Sequence, residues 1–127
     1  MAAIQSPRVR KVITIASATS LSGVIDQEGY RIAALDMSSG WDAANRMSFR
    51  CAASGASTFY DLYNDVGNEW TISSGAFASA TGRSIIPGVD LSLAIAAHRY
   101  VRIQSGPSSA PVNLTTGVTI GIGLLPL

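Results

Sequence analysis

The chain is short of the residues that enzymatic chemistry uses most. It has a single cysteine, Cys51, and a single histidine, His98. A lone thiol cannot form an internal disulfide, and one Cys with one His leaves the usual zinc-ligand spacings unfilled. Lysine is equally scarce, with Lys11 set against eight arginines. Lys11 follows no glycine-rich loop, so there is no P-loop, and Gly121-Ile122-Gly123 lacks the third glycine of a dinucleotide turn. No G-x-S-x-G elbow gives His98 a nucleophile, and beside Arg99 and Tyr100 it reads as a structural residue. Charged residues make up 13% of the chain and the net charge is +1, which offers no electrostatic case for nucleic acid. No apolar run reaches the length of a membrane helix. The opening MAAIQSPRVRK carries no apolar leader, so a cytoplasmic origin is expected and Asn113-Leu114-Thr115 reads as a chance sequon. Carboxylates gather loosely, Asp26 with Glu28 and Asp61 with Asp65 and Glu69. Asp61 to Glu69 offers oxygen atoms to calcium but not at the EF-hand spacing, and a capped turn is the plainer reading. The chain is therefore expected not to be an enzyme, with no catalytic residue, metal, cofactor or small-molecule substrate.

What is present is apolar and small. Hydrophobic residues reach 47% of 127 residues, with alanine prominent among them. So weakly charged a surface does little to oppose association with other protein. The length suits one domain. Residues 1–8 read as an N-terminal arm, 9–124 as a β-sandwich domain and 125–127 as an apolar tail.

The clearest local pattern lies between Trp41 and Leu62. Met47, Phe49 and Cys51 alternate with Ser48, Arg50 and Ala52, the period of a strand with one buried face. Ser54-Gly55 supplies a turn. Thr58 to Tyr63 then returns as a β-branched and aromatic strand, with Phe59 expected across from Met47 or Phe49. Trp41 reads as a core plug, and Cys51 as a buried structural thiol. Other strands are predicted over Val9–Ile15, Thr19–Ile25, Tyr30–Met37, Glu69–Ile72, Arg83–Ile86, Arg99–Gln104 and Val118–Leu124. The inward set of the third is undecided between Tyr30, Ile32, Ala34 and Ala33, Leu35, Met37. Asp26-Gln27-Glu28-Gly29 reads as a type I turn with glycine last. Ser73–Gly82 reads as a flexible loop or weak edge strand. Leu91–Ala97 is predicted to make one or two helical turns, with Asp90 as N-cap and Leu91, Ile95 and His98 on one side. The expected core is Trp41, Met47, Phe49, Cys51, Phe59, Val101, Ile103, Ile120 and Ile122. The glycine face of the last strand signals an edge, a bulge or the close approach of another backbone. The whole predicts an all-β antiparallel sandwich or jelly roll of about eight short strands with one short helical turn.

Several phrases then carry a resemblance. Thr14-Ile15 with Ser20-Leu21-Ser22, Met37 followed by Trp41, Phe49 before Ser54-Gly55, Phe59 with Leu62, and the loop from Gln104 to Val112 resemble small virion proteins of tailed bacteriophages. Gln104 stands where that pattern has arginine, and Cys51-Ala52 departs from it. The resemblance implies a capsid cement or decoration protein. Such a protein sits on the outer capsid as a homo-oligomer, commonly a trimer, and braces neighbouring major capsid subunits, without contact with nucleic acid or membrane. It makes Arg8, Arg10, Leu125 and Leu127 candidate interface residues. The order of Trp41, strand, Ser54-Gly55 turn and aromatic strand is also similar to galactose-binding-like jelly rolls. A carbohydrate-binding or tail-adhesin module is accordingly the alternative, with Trp41, Tyr60, Tyr63 and Trp70 as its candidate rings.

Overall fold

The computed structural model describes residues 8–37, 41–42, 45–53, 58–77 and 82–127. Its strands are β1 Val9–Ile15, β2 Ile25–Asp26, β3 Tyr30–Met37, β4 Met47–Ala52, β5 Tyr60–Asp61, β6 Thr71–Ile72, β7 Arg83–Ile85, β8 Tyr100–Ser105 and β9 Val118–Pro126. A 3-10 turn spans Ser74–Phe77 and one helix, α1, spans Val89–Ala96. The strands form two antiparallel sheets, in the orders β1-β9-β3-β7 and β2-β8-β4-β5. Strand β6 also pairs with β4, at Met47 and Ser48, while β5 takes Arg50 and Cys51. Strand β8 occupies the other side of β4, so β5 and β6 together form one interrupted edge. Counted as one strand, they leave four strands per sheet. The chain changes sheet at most connections, and this is the wrapping of a jelly roll within an all-β sandwich.

One core joins the two sheets. Ile13 and Ile15 of β1, Val118 to Leu124 of β9 in alternation, and Ile32, Leu35 and Met37 of β3 meet Met47, Phe49 and Cys51 of β4 and Val101 and Ile103 of β8. Each such side chain contributes about 1.5–3 kcal/mol by leaving water. Strand β3 resolves its own ambiguity through a bulge. Ile32 faces Leu124 and Ala34 faces Gly123, so Ala33 is the extra residue. The bulge inverts the phase, and each candidate inward set holds for one half of the strand. The Ile32 carbonyl accepts from Ser92 Oγ at 2.7 Å, tying α1 to this point.

Strand β1 is an edge, and Lys11 lies on its inward phase. The Lys11 ammonium crosses to the other sheet and donates to the Asp26 carbonyl at 2.6 Å. An inward cation of this kind discourages pairing along an open edge. Gln27, 2% exposed, fixes the end of α1, its Nε2 donating to the carbonyls of Ile95 at 2.9 Å and His98 at 3.0 Å.

Several expectations change. The second predicted strand contracts to a bridge at Leu21 and the short β2, with Gly23 between them. The following turn is shifted by one residue: Tyr30 N donates to the Gln27 carbonyl and Gly29 takes φ +76°, placing glycine third, as in a type II turn. Asp90 is not the N-cap. Gly88 holds that position without a side-chain bond, and Asp90 sits in the first turn. Phe59 is not a core residue; it is half-buried beneath the Arg102 guanidinium, 5.7 Å from its ring centroid. The cause is register, since β5 begins at Tyr60 and pairs it with Cys51, leaving no partner contact between Phe59 and Met47 or Phe49 in the ladder. Ser48, expected outward, is buried because its Oγ donates to the Gly106 carbonyl at 2.7 Å. Leu125 and Pro126 are not a free tail, as β9 carries them opposite Arg31 and Tyr30. The Ser54-Gly55 turn lies outside the described residues, as do residues 1–7 of the arm.

Candidate functional site

The outer face of the β1-β9-β3-β7 sheet is the most distinctive surface. Strand alternation there presents Arg10, Val12 and Thr14 from β1 and Thr119, Gly121, Gly123 and Leu125 from β9. Strand β3 adds Arg31, Ala33 and Ala34 around its bulge, then Asp36. The two glycines and two alanines leave the middle of the face almost bare of side chains. A cavity of about 360 Å³ opens over this floor, lined by Arg8, Val9, Arg10, Ala33, Ala34, Gly123, Leu124 and Leu125. A second, of about 280 Å³, lies further along the strands between Arg10, Val12, Asp36, Arg83 and Ser84.

Arg10 separates the two. Its guanidinium crosses Gly121 and pairs with Asp36, which also accepts from Ser84 Oγ at 2.7 Å. A Cβ on Gly121 would displace the Arg10 guanidinium, so glycine at this position is what lets the arginine lie flat. The Ser84 hydroxyl, and then Arg10, hold the Asp36 carboxyl below its ordinary range. Arg8 is exposed and has no ion-pair partner among the described residues, and Leu125 is half-buried at the same end. Leu127 is 68% exposed, just beyond β9. The structure thus brings Arg8, Arg10 and Leu125 onto one cavity, with Leu127 outside its lining.

The other candidates separate from one another. Trp41 is buried, stacks on Phe77 at 4.9 Å and donates from Nε1 to the Asn45 carbonyl. Trp70 is half-buried against the core, while Tyr60 and Tyr63 are 67% and 49% exposed, so the four rings make no common platform. Phe77 was hidden in a stretch of small residues; its being the sole aromatic of Ser73–Gly82 was the available signal. In the Asp61–Glu69 segment the carboxylates take separate partners. Asp61 pairs with Arg50 at 3.2 Å and Glu69 accepts from Ser108 N at 3.1 Å. Asp26 and Glu28 share Arg99, whose hydrogen bond, followed by the Glu28 backbone N–H, lowers the Asp26 carboxyl below its ordinary value. Among the described residues no three His, Cys, Asp or Glu side chains converge on a metal-sized site. Burial pushes the Cys51 thiol up to about 12.

No family model, curated protein or solved structure matches the chain.

Proposed function

We propose that this chain is a structural virion protein that binds the outside of a bacteriophage capsid and stabilises contacts between major capsid subunits. The observation that carries the reading is the outer face of the β1-β9-β3-β7 sheet. It is open as a groove of about 360 Å³ with a floor of glycine and alanine that a partner's side chains can fill, and its edge carries arginine, a residue enriched at protein interfaces. The sequence resemblance supplies the phage context, and jelly rolls recur among capsid proteins, which supports the role by analogy of fold alone. The protein acts as a homo-oligomer, a trimer in the favoured arrangement, located on the virion surface.

The test is co-sedimentation. Particles assembled from the genome that encodes the chain are banded on a gradient, and the chain is expected to travel with the major capsid protein and to appear as outer density in cryo-EM maps. A chain that remains at the top of the gradient overturns the role. The exposed Tyr60 and Tyr63 favour a second reading, a glycan-binding tail or adhesin module. Specific glycan-array binding abolished by Tyr60→Ala and Tyr63→Ala would establish that reading in place of the first.

A further inference from the structure

We infer that the groove on the β1-β9-β3-β7 sheet receives the acidic turn between β5 and β6 of a second copy of this chain. The argument begins with charge. Arg8, Arg10 and Arg31 against Asp36 place +2 on the groove face. The chain as a whole carries +1, so the remainder of the molecule carries −1. Within that remainder, residues 60–69 hold Asp61, Asp65 and Glu69 and no lysine or arginine, and with Asp61 paired to Arg50 the turn keeps −2. The molecule is therefore polarised, with a basic groove on one sheet and an acidic turn at the edge of the other.

Shape and polarity agree with charge. The groove has an apolar floor of Ala33, Ala34, Gly123 and Leu125, with Arg8 and Arg31 at its margins. The turn has an apolar tip, Val66 being 74% exposed, beside Asp65, which takes part in no ion pair among the described residues. It is also rigid before any contact forms. Asn64 N donates to the Asn68 carbonyl at 2.8 Å, and Asn64 Oδ1 accepts from Val66 N at 3.1 Å and Asn68 N at 2.9 Å. Gly67 takes φ +85° at the bend, and Tyr63 bridges to Glu69 below it. Docking a pre-ordered turn avoids most of the ordering entropy that binding otherwise costs. Because turn and groove belong to opposite sheets, the contact is head-to-tail and propagates until a ring closes. Nucleic acid fits this face less well. Tight binding there needs several phosphate contacts, whereas Arg10 is already neutralised by Asp36 and the floor between the arginines is apolar. The interface stands independently of the virion role.

Sedimentation velocity of the full chain tests it, at about 50 mM and about 500 mM salt, where screening differs strongly. The wild-type chain is expected to sediment as a multimer at low salt and to shift toward monomer at high salt. Asp65→Arg and the double variant R8E/R31E, each altering one side of the contact, are each expected to sediment as monomers. Their equimolar mixture is expected to associate, because each retains the surface the other lacks. A wild-type chain that is monomeric at low salt overturns the proposal, as does either variant keeping the wild-type mass, or a mixture that stays monomeric. A monomeric chain that shifts a double-stranded DNA probe, with the shift lost in R8E/R31E, would assign the face to nucleic acid instead.

Discussion

Gly106→Ala tests the closest approach of backbone to any described glycine. Gly106 follows β8 with φ +84°, a left-handed conformation that costs an L-residue about 1–2 kcal/mol. A Cβ there would stand 2.9 Å from the Ala110 carbonyl oxygen and 2.9 Å from Val112 N, both backbone atoms that cannot swing aside. Overpacking of that kind adds about 1–3 kcal/mol. The junction anchors three further bonds: Gly106 N to the Arg46 carbonyl at 2.7 Å, buried Ser48 Oγ to the Gly106 carbonyl at 2.7 Å, and Val112 N to the Ser105 carbonyl at 2.9 Å. Alanine also restricts the unfolded chain, which returns about 0.4–1 kcal/mol. The net loss is about 1–4.6 kcal/mol, or about 4–17 °C in Tm for a chain of this length. Gly29→Ala is the reference, since Gly29 has φ +76° but nothing within 4 Å of a Cβ, and its expected loss is about 0–1.6 kcal/mol. Urea denaturation of both variants at equal m-value isolates the steric part. If Gly106→Ala is no less stable than Gly29→Ala, the reasoning from close approach fails.

Three further outcomes follow from other parts of the core and surface. Phe77→Ala empties a fully buried site and removes the ring stacked on Trp41, so it should cost about 3–5 kcal/mol and change the Trp emission spectrum of the native protein; an unchanged urea midpoint would show that the 3-10 turn is dispensable. The Asp36 carboxyl is held below its ordinary value of 3.8, so its stabilising effect is complete above that pH and is lost as pH falls through the lower folded value. Asp36→Asn should therefore flatten the fall of the urea midpoint between about pH 5 and pH 2, and an equally steep fall in the variant would contradict the linkage. Cys51, with its thiol pushed up to about 12 by burial, should be inert to a thiol reagent at about pH 8 until urea unfolds the chain, and rapid labelling of the folded protein would contradict its placement.

Local alternation was the legible part of the sequence. Met47, Phe49 and Cys51 declare one inward face, and Val101 with Ile103 and Ile120 with Ile122 do the same on β8 and β9. What alternation cannot express is a change of phase within a strand, and β3 makes one at Ala33, where both candidate faces were half right. It also cannot express cover supplied by distant segments. Ser48 looks solvent-facing in sequence, but the Gly106 carbonyl lies over it, and Gln27 looks like a turn residue until the end of α1 is placed above it. Leu114 sits in a stretch without strand pattern and is buried because Ala18 N and Thr19 O bracket its backbone. The sheet order was equally hidden, since β1 pairs with β9 from the far end of the chain. The groove shares that limit: Arg8, Ala33 and Gly123 are remote in sequence and meet only when β9 is inserted between β1 and β3.

The two glycines on the outer face of β9 have different causes, and the difference bears on function. Glycine inside a strand costs about 0.5–1 kcal/mol relative to alanine, so each bare position calls for a reason. Gly121 has one within the chain, because Arg10 lies across it to reach Asp36 and a Cβ would collide with the guanidinium. Gly123 has none of that kind. The nearest atom to its hypothetical Cβ is the Ala34 Cβ at 3.4 Å, ordinary contact that an alanine would tolerate. The bulge at Ala33 likewise brings alanine, not a larger residue, to the adjoining position. The Arg10–Asp36 pair therefore gives the bare floor beside Asp36 a use within the chain, which the floor beside Arg8 lacks. The proposed contact with a second copy would give that open floor a use, on the half of the face where Arg8 takes part in no ion pair among the described residues.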